Sequence, residues 1–394
     1  MMRMCCGLLL SAVSLAAHGD NEAVQVPAGK WFRVPDSQLA AVVPDPVPPG
    51  DHRAGTPESI MLEWSGGALD TRRNRLIVWG GGHNNYSGNE LYAFDLASLR
   101  WTRLTEPSRD VGGEEASGYY PDGLPRSRHT YDYIEYVPAI DRFCSFGGAA
   151  QFPSQGLHET ANVDCFDFMA NRWETRAYRP VPKSSRYESS INSISAYDPV
   201  DKVVYLHTTR TGDDPRLWRW HPALPGKDRW EVLTGYDWIG GNLNAEIDPQ
   251  RRLMIAVGEN QLFVWDLRRP QRGAFSPQIK GDLEIQKAAA PGLAFEPRWG
   301  TLVAWGGGAD VFVLSPATKG AWAWRRCAPE SIDESVPGAA PDTGTYGRFR
   351  YVATLEAFVA VTGIHDDVRL YRLSDAQRRT CLDESPRGST ASPP

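Results

Sequence analysis

One motif returns along this chain and limits what the chain can build. A first copy reads Asn74-Arg-Leu-Ile-Val-Trp-Gly-Gly-Gly82, then a polar loop, then Leu91-Tyr-Ala-Phe-Asp95 and Arg100-Trp-Thr-Arg-Leu104. A second reads Asp141-Arg-Phe-Cys-Ser-Phe-Gly-Gly148, a longer loop, Cys165-Phe-Asp167 and Arg172-Trp-Glu-Thr175. A third reads Gly300-Thr-Leu-Val-Ala-Trp-Gly-Gly-Gly308, Val311-Phe-Val-Leu314 and Ala321-Trp-Ala-Trp324. A unit copied at this period buries its apolar face only by stacking on its neighbours.

Each unit reads as four strands. The first precedes a turn such as Asp70-Thr-Arg-Arg-Asn74, and the second is the apolar run ending in glycines. The third is the aromatic-aspartate strand, and the fourth carries the Trp. Six units are counted, over residues 59–104, 127–175, 187–233, 243–275, 288–325 and 349–373, with room for a degenerate seventh only in 269–287. The sixth stops before any Trp strand. Lys30-Trp-Phe-Arg-Val-Pro35 reads as that missing strand, displaced to the other end of the chain. An N-terminal strand completing the last unit closes a ring and removes its open edges. The expected fold is therefore all-β: one closed β-propeller of four-stranded blades, six in number.

The paired glycines, the aromatic residue before a turn and the trailing Trp resemble the kelch repeat of galactose-oxidase-type β-propellers. Arg126-Ser-Arg-His129 looks like the arginine-and-histidine lead-in to a kelch inner strand. Units three, four and six depart from the pattern by losing a glycine or the Trp. The resemblance implies fold more than function, since kelch-like propellers include copper oxidases, a sialic-acid epimerase and many pure binding proteins.

Residues 1–19 read as an export signal: Arg3 supplies the positive end, 7–17 is a short apolar run, and small residues follow at Ser14 to Ala17. The run is too short for a membrane span, which needs about 20 apolar residues. Residues 20–381 form the propeller, and the polar stretch 382–394 is expected to be disordered. The expected location is the periplasm or the cell exterior. Cys144, Cys165, Cys327 and Cys381 remain in the mature part, and an even number in an exported chain suggests disulfides. Cys144 and Cys165 fall on strands that should be neighbours, and Cys327 with Cys381 would clip the tail to the body. The alternative is four separate buried thiols. A net charge of −6 argues against general nucleic-acid binding.

In a closed propeller of this kind, the loops between second and third strands share one face with the starts of the innermost strands. That face collects His83, Asn84, Asn85 and Tyr86 from blade one, and Arg126, Arg128 and His129 from blade two. It also collects Arg186 and Tyr187 from blade three, Tyr236, Trp238 and Asn242 from blade four, and Arg348, Arg350 and His365 from blade six. Arginine grips carboxylates by two points, asparagine serves hydroxyls, and Trp or Tyr stacks on sugar faces. The set suits an acidic glycan or sugar.

Two functions fit. In one, the ligand is also transformed by β-elimination or epimerisation, with Arg128, Arg186 or Arg348 neutralising its carboxylate and His83, His129 or Tyr187 moving a proton. In the other, the same residues recognise a glycan, protein or peptide without reaction. Bland readings stand beside both: His83 bonding its own loop, Arg128, His129 and Arg348 tying blades together, and His365 in a solvated turn. A copper radical oxidase needs paired histidines and a Cys–Tyr crosslink that the sequence lacks. No metal and no cofactor are expected.

Overall fold

The computed structural model describes residues 24–45, 56–82, 86–111, 118–152, 156–182, 193–208, 215–224 and 229–382. Six antiparallel sheets stand in a ring, a six-bladed β-propeller. Blade one is Gly67–Asp70, Arg75–Val78, Tyr92–Asp95 and Arg100–Arg103. Blade two is Ile134–Val137, Arg142–Phe152, Gly156–Asp167 and Arg172–Glu174. Blade three is Ile194–Asp198, Val203–His207, Leu217–Trp220 and Trp230–Val232. Blade five is Gly292–Glu296, Thr301–Trp305, Val311–Ser315 and Trp322–Cys327.

Blade six is Phe349–Val352, Ala357–Ala360 and Arg369–Tyr371, completed by Trp31–Arg33 from the other end of the chain. Trp31 lies opposite Tyr371 and Arg33 opposite Arg369. The Trp31 indole also donates to the Ala309 carbonyl of blade five at 2.8 Å. The expected closure of the ring is therefore present.

Blade four departs from the repeat. Its ladder holds three strands, Asn244–Asp248, Leu253–Gly258 and Gln261–Asp266. In place of a fourth strand there is a single bridge from Val264 to Phe275. The chain then runs outward as Ile279–Gly281, which pairs parallel to Trp322–Cys327 on the outer edge of blade five. Residues 269–287 thus link two blades and are no seventh blade. Pro270 and Pro277 lack the N–H groups a regular outer strand would need here.

Period-2 alternation explains the packing. In blade one, Leu76 and Val78 face Val352, Val359 and Leu370 of blade six, while Ile77 and Trp79 face Phe143 and Phe166 of blade two. The same division repeats around the ring: five clusters lie between neighbouring blades, and the sixth, between blades two and three, also takes in Ala290 and Tyr346 at the mouth.

Both expected disulfides form. Cys144 and Cys165 are direct cross-strand partners in blade two. Cys327 ties blade five to Cys381 at the end of the helix Asp375–Cys381. Ser374 and Gln377 start that helix with a capping box. Among the described residues no helix is long and apolar enough to cross a membrane. The expected signal (1–19) and nearly all of the expected tail lie outside the described residues.

Candidate functional site

The starts of the innermost strands and the loops after the second strands do meet on one face. A side chain at Gly82, after blade one's second strand, would come within 3.0 Å of the His129 ring. Asn242 donates to Glu259, in the turn after blade four's second strand. Arg348 donates to the Val361 and Thr362 carbonyls after blade six's second strand, at 2.9 and 3.3 Å.

A backbone feature recurs at this mouth. Just before five of the innermost strands the chain turns through a left-handed residue: Trp64 (φ 45°), Tyr131 (43°), Asn242 (50°), Ala290 (35°) and Tyr346 (48°). Side-chain-bearing residues pay a steric penalty there, so surrounding contacts must impose it. Hydrogen bonds between neighbouring blades do so. The Tyr131 N–H donates to the Trp64 carbonyl at 2.7 Å, Ala290 to Asn242 at 2.7 Å, and Tyr346 to Ala290 at 3.0 Å.

The turns aim aromatic side chains across the channel. Tyr131 of blade two meets Tyr346 of blade six edge-on at 6.1 Å. The Tyr346 hydroxyl reaches the Asn242 side-chain oxygen of blade four at 3.4 Å. These contacts skip blades, so the two tyrosines cross the mouth. Burial, with Tyr131, Asp132 and Glu259 nearby, pushes the Tyr346 hydroxyl well above its ordinary range. His129 lies beside this bar, with Trp64 4.9 Å away and its Nδ1 3.4 Å from the Tyr131 hydroxyl. Its Nε2 is 3.5 Å from a Glu63 oxygen.

The candidate arginines are placed differently. Arg348 is fully buried and donates to the carbonyls of Ser65, Gly344, Val361 and Thr362. Burial pulls its guanidinium down to about 10. Arg128 is equally buried, donates to the carbonyls of Arg126, Gly147 and Gly118, and lies 3.6 Å from Asp164. A Cβ on Gly148 would strike its Cδ at 2.5 Å, which is one reason the repeat carries glycine there. Arg126 donates to the Tyr119 and Val111 carbonyls and sits over the Tyr120 ring. These three guanidiniums bind the frame together.

Two further candidates are engaged with acidic partners. The Tyr86 hydroxyl is buried and donates to Glu90 at 2.7 Å. His365 forms an exposed pair with Glu58 at 2.8 Å. His83, Asn84, Asn85, Arg186 and Tyr187 lie outside the described residues.

Beside the mouth stands an aromatic pair with a rigid base. Tyr236 and Trp238 are 68% and 57% exposed, whereas Asp237 between them is buried. Asp237 accepts from the Trp265 indole at 2.7 Å and from the Ala274 N–H at 3.0 Å, and its own N–H donates to the Pro215 carbonyl. The His207 Nε2 stands 3.6 Å away. Burial alone would raise this carboxyl, but His207, Trp265 and Ala274 together hold it below the usual carboxylate range. The sequence singles out the two aromatics but not their anchor. Nor does it mark Glu63, Trp64 and Tyr131, although an aromatic three residues before an inner strand recurs at Trp64, Tyr131 and Tyr346. Among the described residues no group of three His, Cys, Asp or Glu is arranged to hold a metal ion.

No protein-family profile matches the sequence, and no curated protein sequence matches it. Solved structures with similar folds include TolB from Acinetobacter baumannii, at 13% identity and a TM-score of 0.34, covering 66% of this chain. The match spans 56% of that TolB chain, little more than half its length. Another is a chain of a mitotic checkpoint complex, at 7% identity and a TM-score of 0.46, covering 94% of this chain and 100% of that one.

Proposed function

We propose that this propeller, kelch-type by its repeat, is an exported protein that binds a saccharide at the mouth face without transforming it. The observation that carries this reading is the Tyr236–Asp237–Trp238 platform. Two aromatics are held out in water by an aspartate fixed from three sides. Exposed, pre-positioned rings stack on sugar faces at small entropic cost. Asn242 and the loop residues His83 to Asn85 supply hydroxyl partners in this reading, and His129 lines the same face.

Recognition is preferred to lyase or epimerase chemistry for an electrostatic reason. Proton abstraction next to a carboxylate needs a cation on that carboxylate. Arg126, Arg128 and Arg348 spend their donors on backbone carbonyls. The acidic-sugar form of the reading therefore rests on Arg186. His129, with Glu63 and Tyr131, retains the groups for moving a proton.

Screening the secreted chain on an array of neutral and acidic glycans tests the reading. Binding to a defined glycan, weakened by Trp238→Ala, supports it. Silence on every glycan, with capture of peptides by the same aromatics, would transfer the site to protein recognition. New ultraviolet absorbance from an unsaturated sugar would establish a lyase instead. Amino-terminal sequencing of the secreted protein tests the signal.

A further inference from the structure

The opposite end of the channel holds a second, chemically different feature. Three innermost strands each place a charged residue at mid-strand or next to it: Glu135 in Ile134–Val137, Glu246 in Asn244–Asp248 and Arg350 in Phe349–Val352. All three line a cavity of about 260 Å³. Tyr197, Phe295 and Tyr351 supply aromatic walls. Exposed Pro138 and Pro199, just past the ends of two inner strands, stand at its rim. The cavity therefore opens away from the mouth that carries Tyr131 and Tyr346.

Its charges do not balance. The one guanidinium among the described residues that line it is already spent: Arg350 donates to Glu246 at 3.0 Å and to the Gly347 and Gly67 carbonyls at 3.2 and 3.4 Å. Glu135 is 6% exposed, and one of its oxygens accepts from the Ser195 hydroxyl at 3.0 Å. Its other oxygen accepts no hydrogen bond among the described residues. Asp132 adds a third buried carboxyl close behind, held by the Ala245 N–H at 2.7 Å. Three carboxyls stand against one arginine that Glu246 already occupies, so the site offers acceptors for a cation and no free guanidinium for an anion.

We propose that this cavity is a binding site for a small organic cation, an ammonium group on a compact apolar body. Glu135 takes the ammonium, and the faces of Tyr197, Phe295 and Tyr351 cover its carbon portion and favour the charge. The cavity holds about 260 Å³. That is below the usual range of drug-sized pockets and suits a ligand of one ring or a short chain.

Benzylammonium is a suitable probe, with benzyl alcohol and benzoate as neutral and anionic counterparts. Binding to the full chain at pH 8 is measured by ligand-observed NMR titration. The expected result is benzylammonium bound at least tenfold more tightly than benzyl alcohol, with no benzoate binding. Glu135→Gln is expected to reduce the benzylammonium preference tenfold without lowering the melting temperature. Equal affinity for amine and alcohol, preference for benzoate, no binding at all, or an unchanged preference in Glu135→Gln would each overturn the proposal. The comparison among the three probes needs no variant, so it stands even if Glu135→Gln folds poorly.

Discussion

The Trp265 indole N–H donates to an Asp237 carboxylate oxygen at 2.7 Å, joining the outward-facing aromatic segment to the buried wall between blades three and four. Removing that acceptor leaves a buried indole donor with no partner. Asp237→Ala is expected to cost about 1–3 kcal/mol, measured by chemical denaturation. It should also weaken saccharide binding although neither aromatic is altered. Unchanged affinity would mean that the platform holds its shape without the anchor.

Tyr236→Ala and Trp238→Ala separate binding from stability. Both rings are exposed, so each change should move unfolding free energy by less than about 0.5 kcal/mol. Saccharide affinity, read by calorimetry, should fall several-fold per ring, as expected for about 1 kcal/mol of stacking. A matching fall in stability would instead make these rings part of the frame.

Arg348 is expected to behave as a structural group. Arg348→Ala strands the carbonyls of Ser65, Gly344, Val361 and Thr362 in a buried joint between blades six and one. A loss of about 3 kcal/mol or more is expected in denaturant titration. The folded fraction should bind its ligand normally. Near-normal stability with lost binding would make Arg348 a ligand contact after all.

Glu135 gives a stability-versus-pH prediction. Burial raises its carboxyl to about 7, with Arg350 opposing and Glu246 adding to the shift. The ordinary value is about 4.3. Between these values the native protein holds a proton that the unfolded chain has released, so stability falls as pH rises and levels off above about 7. Glu135→Gln cannot ionise and keeps the Ser195 contact. It should match the wild type near pH 4 and exceed it by on the order of 3–4 kcal/mol at pH 8. Parallel pH profiles for the two proteins would show that the carboxyl titrates normally.

Cys327→Ser with Cys381→Ser opens a loop of 54 residues. Loop entropy sets the expected cost at about 4 kcal/mol, against about 3 for removing the 21-residue link from Cys144 to Cys165. Melting of the two variants under oxidising conditions checks the order. A larger loss from the shorter link would mean that the blade-two ladder outweighs chain entropy.

The frame was legible because its signals are local. Gly-Gly ends of second strands, Trp on fourth strands and a stray Trp31 strand each follow from adjacent residues, and Trp31 opposite Tyr371 is where the pattern placed it. Blade four was less legible, because Phe275 replaces the Trp and a single bridge replaces a ladder. The site was only partly legible. Whether Arg348 points into a joint or into the channel depends on strand register, and a shift of one residue exchanges the two faces. For the same reason Glu135 was passed over, although a lone acid inside Ile134–Val137 was a visible sign. Asp237 was missed because its partners, Trp265 and Ala274, lie 28 and 37 residues further on.

The pairing of Trp31 with Tyr371 sets a timetable for biosynthesis. The strand that seals the ring leaves the ribosome before any other part of the propeller, while its partner emerges after all the rest. Blades one to five can take shape in order, but the sixth stays open until the end, and Trp31 must be kept from pairing elsewhere in the meantime.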